Sequence, residues 1–417
     1  MLSRAASFPP GGPVMSSPAS LGFSADRLAR LDGFLQSRYI DSGRLPGALT
    51  LIARGGEVAH LSVLGKADVE RGAPLKEDTL FRIYSMTKPI TSVALMMLFE
   101  EGKIALDDPV EKYIPAWKNM GVYAAGQPGA FQTTRTERPM QVVDLLRHTS
   151  GLTYGFQNRT TVDATYRKLN VGRRDASLET FVEELSKIPL EFSPGTAWNY
   201  SVSTDVLGYL VQVVSGMSFP DFLQTRLFDP LAMTDTGFQV PAADVGRFAA
   251  CYNAKPGGGM TLADDPTKSE YLTAPVGPSG GGGLVSTASD YLKFTQMLLN
   301  GGRSGEVRYL SRKTIELMTA NHLPGGQDLT QLSRSLFSEA TNAGIGFGLG
   351  FAVNIDPPQV LVPGSYGEHY WGGAASTAFW IDPEEDLTVI FMTQLLPSST
   401  YPIRRELRTL VYSALDD

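Results

Sequence analysis

Apolar residues between positions 81 and 102 follow the repeat of a helix with one buried face. Five of them stand at i, i+3, i+4, i+7 and i+8, namely Ile90, Val93, Ala94, Met97 and Leu98. Pro89 belongs in a first turn, because proline lacks an N–H and clashes with the preceding turn of a helix. Gly102 is typical of a left-handed helix stop. The pattern predicts a helix that begins at or just after Ser85 and ends near Gly102.

The same kind of pattern predicts elements along the rest of the chain. Residues 24–40 indicate an amphipathic helix, and residues 47–54 and 57–64 alternate as two strands around a Gly-Gly turn. Further helices are predicted at residues 140–147, 178–186, 204–214, 288–300 and 404–415. Further strands are predicted at residues 347–354, 376–381 and 387–394.

Strands near both ends of the chain, with helices between them, predict one split sheet. The expected fold class is α+β, with an antiparallel sheet flanked by N- and C-terminal helices. We assign residues 23–107 and 239–417 to this split α/β domain and residues 108–238 to an inserted helical domain. Residues 1–22, rich in proline, glycine, serine and alanine, are expected to be a disordered leader.

Charge and composition argue against several classes of function, among them nucleic-acid binding and metal binding. The net charge is −7, and no basic run or zinc-type spacing indicates nucleic-acid binding. No run approaches 18 apolar residues and no signal-peptide pattern opens the chain, so we expect a cytoplasmic protein without a membrane partner. Cys251 is the only cysteine, which rules out an internal disulfide and favours a buried small residue. The four histidines show no metal spacing, so neither a metal nor a cofactor is expected.

Ser85 and Lys88 carry the first candidate chemistry. Three residues apart on a helix, their side chains lie on one face, one turn apart. A serine hydroxyl becomes a good nucleophile when a nearby base takes its proton, and a desolvated lysine is able to be that base. The alternative is an N-cap serine followed by a solvated lysine, since Ser-x-x-Lys occurs by chance in chains of this length.

Two loops add candidates. Tyr200 lies just before a predicted helix, where it is either a packing residue or a phenol that moves a proton. Trp371, Gly372 and Gly373 precede a predicted strand, where paired glycines allow close backbone approach and N–H groups able to hold an oxyanion. The alternative there is a bulge under a bulky indole.

Two tempting features are set aside. Ser279 lies in a G-x-S-x-G run, but prolines break the strand that this motif needs before its serine, and glycines replace the helix after it. His148 follows a predicted helix, and we expect it to fix a turn there rather than to act as a base.

Together these stretches resemble the serine β-lactamase-like superfamily, and in particular the family VIII carboxylesterases, relatives of class C β-lactamases and D-Ala-D-Ala carboxypeptidases. Five pieces in family order carry the resemblance: Ser85-Met-Thr-Lys88, Leu-Leu-Arg-His-Thr-Ser-Gly-Leu at 145–152, Trp198-Asn-Tyr-Ser-Val202, the glycine-rich run at 280–288, and Trp371-Gly-Gly373. The resemblance implies a β-lactamase/transpeptidase-like fold.

It also implies roles for single residues. Ser85 would be the nucleophile, and Lys88 and Tyr200 would together act as its general base. The N–H groups of Ser85 and Ala374 would form the oxyanion hole. Trp371, Gly372 and Gly373 would contact the substrate.

Two departures from class C lactamases modify the expected function. Val202 stands where they carry asparagine, and Trp371 stands where they carry a lysine that would hold a substrate carboxylate. We therefore expect a serine carboxylesterase acting on short-chain neutral esters, with a small-molecule ester as its partner. The alternatives are a β-lactamase or acyltransferase at the same site, a hydrolase using Ser279, and a non-catalytic penicillin-recognising module. The oligomeric state is left open.

Overall fold

The computed structural model describes residues 15–334 and 342–417. Within these ranges the α-helices are α1 (Ala25–Leu35), α2 (Thr87–Glu100), α3 (Val142–Leu146), α4 (Thr161–Leu169), α5 (Leu178–Leu185), α6 (Ser203–Ser215), α7 (Phe219–Leu223), α8 (Asp229–Leu231), α9 (Ala288–Leu299), α10 (Arg312–Met318), α11 (Leu329–Leu332), α12 (Pro357–Val360) and α13 (Ile403–Tyr412).

The strands in the same ranges are β1 (Gly47–Arg54), β2 (Glu57–Asp68), β3 (Ala73–Pro74), β4 (Phe81–Arg82), β5 (Val122–Gln127), β6 (Ala130–Thr134), β7 (Cys251–Ala254), β8 (Met260–Asp264), β9 (Val285–Ser286), β10 (Arg303–Ser304), β11 (Val307–Arg308), β12 (Ile345–Phe347), β13 (Ala352–Asn354), β14 (His369–Gly372), β15 (Ala378–Asp382), β16 (Leu387–Met392) and β17 (Leu395–Leu396).

The predicted split sheet is confirmed. In the described part of the chain it has eight strands in the order β12-β13-β14-β15-β16-β1-β2-β3, with antiparallel neighbours. β1 pairs with β16 from Leu49–Met392 to Arg54–Leu387, which joins the N-terminal hairpin to the C-terminal strands. Strands distant in sequence thus form one sheet.

Alternating side chains of β1 face two separate cores, because successive residues of a strand point to opposite faces. Leu49 and Leu51 pack in the cluster that contains α2, α6 and α9. Ala48 and Ile52 pack in the cluster that contains α1 and α13. The terminal helices therefore cover one face of the sheet, as predicted for the α+β fold, and the helix that begins near Ser85 covers the other.

The structure differs from the predictions in two segments. Residues 347–354 were expected to form one strand, but β12 and β13 form a hairpin there, since Gly350 turns the chain with a φ of 104°. The expected leader of residues 1–22 lies outside the described residues up to position 14. From residue 15 onward the chain is ordered: Ser16 donates its N–H to the Val58 carbonyl and Pro18–Leu21 form a 3₁₀ helix.

The predicted division into a split domain and a helical insertion stays a prediction. Residues 108–238 contain α3 to α8 and also the hairpin β5–β6, which the sequence pattern did not predict. Cys251 is buried, as expected. In residues 15–334 and 342–417 no single helix is long and apolar enough to cross a membrane; α6 with α7 and α8 has the composition for it only as a pair bent by 81°.

Candidate active site

Ser85 lies in a 3₁₀ turn, Tyr84–Met86, that leads directly into α2. The chain enters this turn through β4, which pairs with β9, and through an Ile83 N–H that donates to the Leu284 carbonyl. Tyr84 has a φ of 42°, a left-handed conformation that costs a bulky residue on the order of 1–2 kcal/mol and persists only where packing fixes it. Ser85 is thus held at a helix start, where first-turn N–H groups have no partner within the helix.

Three predicted residues meet at the Ser85 hydroxyl. Tyr200 Oη donates to Ser85 Oγ at 2.6 Å, and Lys88 Nζ donates to the same oxygen at 3.2 Å. Lys88 is 2% exposed and Tyr200 is 6% exposed, so both act on the hydroxyl out of bulk water. The alternative of a solvated lysine is therefore excluded, and the one-turn spacing of Ser85 and Lys88 brings their side chains into contact as expected.

The Lys88 amine is enclosed by a carbonyl and two rings. Its Nζ donates to the Gly281 carbonyl at 2.6 Å. It also lies 4.5 Å from the ring centre of Tyr200 and 5.3 Å from that of Tyr154. An N–H group is weakly attracted to an aromatic face, so these rings replace part of the hydration that the nitrogen loses on burial.

Tyr200 is positioned by the loop that precedes α6. The Asn199 N–H donates to the His148 carbonyl at 2.9 Å, and the Gln157 side chain donates to the Tyr200 carbonyl at 2.5 Å. The Trp371 indole N–H donates to Tyr200 Oη at 3.3 Å, which joins β14 to the tyrosine. The phenol oxygen is therefore bonded on one side to Ser85 and on the other to Trp371.

The turn after β14 lies close to the chain just before Ser85. The Gly373 N–H donates to the Thr377 carbonyl at 3.0 Å, and Arg404 donates to the carbonyls of Gly373 and Thr377 at 2.7 and 2.9 Å. A Cβ at Gly373 would lie 2.5 Å from the Ile83 carbonyl, so glycine lets this turn approach the chain just before Ser85. β14 pairs with β15 in regular register, so the alternative of a bulge under the indole does not hold for this strand pair.

A cavity of about 1230 Å³ opens in front of these groups. Ser85, Gly372, Gly373 and Ala374 line it together, and aromatic side chains form the wall beside them. The rings of Tyr154 and Phe156 stack at 4.7 Å, and Phe156 is 55% exposed at the mouth. A concave apolar site with a few convergent polar groups is the usual form of a small-molecule site.

The two features that the sequence analysis set aside have other contacts. His148 has a φ of 59° after α3, and its Nδ1 lies 3.3 Å from Ser201 Oγ. Burial, and then the charge of Lys88, hold the pKa of His148 well below its ordinary value, so its imidazole is neutral. Ser279 Oγ donates to Asp205 and not to Lys88 or Tyr200. These contacts of His148 and Ser279 are separate from the bonds of Tyr200 and Lys88 to the Ser85 hydroxyl.

Sequence reasoning missed two groups near Lys88. They are the side chains of Asp205 and Tyr154. Tyr154 Oη lies 3.5 Å from Asp205 Oδ2, and burial with the nearby Asp205 charge raises the pKa of Tyr154 well above its ordinary value. The phenol therefore stays protonated and donates. The available signal was the run of glycines at 280–283, which indicates close backbone approach to another group.

Comparison with known proteins assigns the chain to a family. The Beta-lactamase family model matches residues 30–413. The chain belongs to the β-lactamase family. Protein Rv1367c of Mycobacterium tuberculosis is 34% identical over 360 residues, which cover 86% of this chain and 88% of that protein. Esterase EstB of Burkholderia gladioli is 30% identical over 417 residues, which cover 94% of this chain and 96% of that protein.

A solved structure agrees with this assignment. EstCE1, described as a hydrolase with promiscuous acyltransferase activity, superimposes with a TM-score of 0.77 and 27% identity, covering 96% of this chain and 99% of that one. The predicted membership of the serine β-lactamase-like superfamily, with family VIII esterase relatives, is confirmed, and so is the β-lactamase/transpeptidase-like fold.

Proposed function

We propose that this β-lactamase-family hydrolase cleaves short, neutral carboxylic esters through an acyl-enzyme on Ser85. One observation carries the proposal: the Ser85 hydroxyl lies 2.6 Å from Tyr200 Oη and 3.2 Å from Lys88 Nζ. A hydroxyl bonded to two buried proton carriers is an activated nucleophile. The esterase relatives support ester hydrolysis as the reaction class.

The reaction takes two steps. Ser85 Oγ attacks the ester carbonyl carbon while its proton passes to the Lys88–Tyr200 pair, forming a tetrahedral oxyanion. The carbon–oxygen bond to the alcohol then breaks, and the alcohol leaves with that proton. Water attacks the acyl-enzyme, gives a proton to the same pair, and releases the carboxylic acid as Ser85 recovers its own.

The N–H groups of Ser85 and Ala374 are proposed to hold the oxyanion. Both residues line the cavity, and Ser85 stands in the 3₁₀ turn that leads into α2. The Arg404 bonds to Gly373 and Thr377 fix the turn that carries Ala374. Donors fixed before the reaction stabilise developing charge more than mobile ones.

The proposed substrate class rests on Trp371. Its indole lines the cavity and packs against Tyr200 and Phe347, with ring centres 5.3 and 5.5 Å away. An indole gains free energy by burying apolar acyl or alcohol groups, but offers no cation to a carboxylate. The nearby Arg404 uses Nη2 for two backbone carbonyls. Because the apolar indole stands next to the Ser85–Tyr200 contact, small uncharged esters are the proposed substrates in preference to carboxylate-bearing β-lactams.

The test compares two serines with a panel of p-nitrophenyl esters and nitrocefin. Ser85→Ala is expected to reduce ester hydrolysis to background, since the nucleophile is lost. The matched variant Ser279→Ala is expected to retain at least about a tenth of kcat/KM, since it loses one hydrogen bond away from the nucleophile. If Ser279→Ala abolished ester hydrolysis while Ser85→Ala remained active, the assignment of Ser85 as the nucleophile would be overturned.

Acyl transfer to an alcohol is the second candidate. It is favoured by the likeness to EstCE1, a protein described as a hydrolase with promiscuous acyltransferase activity, and by a cavity of about 1230 Å³, which has room for an acceptor beside an acyl group. Adding a primary alcohol to the ester assay would distinguish the two outcomes. Ester exchange that outpaces release of the acid would favour the transferase.

A further inference from the structure

A buried carboxylate lies behind Lys88, on the other side of residue Gly281. Asp205, in the first turn of α6, is 8% exposed. Its Oδ1 accepts the Gly281 N–H at 3.0 Å and also the Ser279 hydroxyl. The Gly281 carbonyl in turn accepts Lys88 Nζ at 2.6 Å. Gly281 therefore links Asp205 to the lysine through its own backbone groups.

The glycine loop packs closely between α2 and α6. A Cβ at Gly281 would lie 2.5 Å from Asp205 Oδ2, and one at Gly280 would lie 2.7 Å from the Thr204 carbonyl. Close approach of the loop to α6 thus requires glycine. Thr91 Oγ1 donates to the Gly280 carbonyl at 2.7 Å from the other side. Because glycines have no side chains of their own to anchor, the carboxylate is the anchor on the α6 side.

The position of the Lys88 amine depends on this loop. Three polar contacts of Nζ matter for the proposed reaction: its bond to Ser85 Oγ, its bond to Gly281 and its approach to the Tyr200 ring. Val202 stands at the position where the resemblance would place an asparagine. Its side chain has no polar atom that could accept a hydrogen bond from Lys88 Nζ. The amine is oriented by the Gly281 backbone carbonyl, so its position depends on how rigidly the glycine loop is held.

We infer that Asp205 is a positioning residue for Lys88: through Gly281 it holds the amine against the Ser85 hydroxyl. This inference rests on the proposed function of Ser85 and Lys88. It also gives a role to Ser279, whose hydroxyl completes the coordination of the carboxylate. The competing role is purely structural, since an acidic residue in a first turn stabilises any helix.

A matched control separates these roles. Asp290 is also buried, at 1% exposure, and also lies in the first turn of a helix, α9. Its carboxylate accepts the Asp235 N–H at 2.7 Å and pairs with Lys293 at 2.8 Å, away from Lys88. Asp290→Asn therefore has the helix-terminal and burial effects of Asp205→Asn without the link to Gly281.

The experiment measures how fast a fluorophosphonate probe labels Ser85, and which fraction of molecules it labels. In Asp205→Ala the rate constant per labelled molecule is expected to fall about 10- to 100-fold, less than the 10²- to 10⁴-fold for loss of a general base, because the lysine is displaced and not removed. Asp205→Asn is expected to lose about tenfold or less, since its amide oxygen still accepts the Gly281 N–H. In both variants KM for p-nitrophenyl butyrate is expected to stay near the wild-type value while kcat falls.

The outcomes are distinguishable. Asp205 variants that label at the wild-type rate constant, with only a smaller labelled fraction, would show a structural role and overturn the inference. An equal slowing in Asp290→Asn would overturn it as well. If Asp205→Ala fails to fold, Asp205→Asn and Ser279→Ala decide, with slowing of about two- to tenfold expected in each. A wild-type enzyme that is not labelled at Ser85 would instead overturn the proposed function, and the inference with it.

Discussion

The contact of one hydroxyl with two proton carriers makes a quantitative prediction about Lys88 and Tyr200. Lys88→Met keeps a buried aliphatic chain and removes the amine, and Tyr200→Phe keeps the ring and removes the hydroxyl. Each change deletes one of the two bonds to Ser85 Oγ, at 3.2 and 2.6 Å. A positioned acid–base group contributes about 10²- to 10⁴-fold, so each variant should lose about 3–5 kcal/mol of transition-state stabilisation.

The double variant is the informative one. Because Lys88 and Tyr200 take up the same proton, removing the second should cost little once the first is gone. We expect the double variant to be within about tenfold of the poorer single variant in kcat/KM, against a product of about 10⁴ to 10⁸ for independent groups. Tyr200→Phe also takes the acceptor from the Trp371 indole, which should cost about 1–3 kcal/mol of stability.

The assay is p-nitrophenyl butyrate hydrolysis for the wild type, both single variants and the double variant, with thermal unfolding as the control for folding. Multiplicative losses would refute a shared proton and assign the two residues separate roles. A Tyr200→Phe variant within about threefold of wild type would refute a role for the phenol in proton transfer.

Two further predictions concern substrate charge and pH. Trp371→Lys should raise kcat/KM for nitrocefin relative to p-nitrophenyl butyrate by about ten- to a hundredfold, which is the contribution of one desolvated charged hydrogen bond. Trp371→Phe is the control, because it keeps an apolar ring. An unchanged ratio in Trp371→Lys would contradict the reasoning. Burial lowers the pKa of His369 from 6.5 to about 4. The unfolded chain therefore binds this proton first as pH falls, so stability is full above about pH 6.5 and declines toward pH 4, by about 2 kcal/mol between pH 7 and pH 5. Urea unfolding of His369→Gln should show a flatter pH dependence than wild type, and equal slopes would contradict the assignment.

Local periodicity predicted the elements that carry their own pattern. The helix after Ser85 follows from its apolar repeat, Pro89 and Gly102, and its spacing alone brings Lys88 to the serine. β1 and β2 follow from alternation around a Gly-Gly turn. Short elements such as the hairpin β5–β6 carry too few residues for a period, and their pairing depends on neighbours distant in sequence.

The rest of the site depends on contacts that spacing does not encode. Tyr200 is 115 residues from Ser85, and only resemblance to a family singled it out among the tyrosines. Asp205 looked like an ordinary acidic residue in a first helical turn, because its partner Gly281 lies 76 residues away. The glycine run indicated close approach, but nothing in the sequence identified the group being approached.

The measurement that tests the central claim most directly is the detection of an acyl-enzyme. The protein is mixed with a p-nitrophenyl ester, quenched in acid within the first turnover, digested and analysed by mass spectrometry. The account predicts one added acyl group on the peptide that contains Ser85, and none in Ser85→Ala. Acylation at Ser279, or ester hydrolysis that persists in Ser85→Ala, would contradict it.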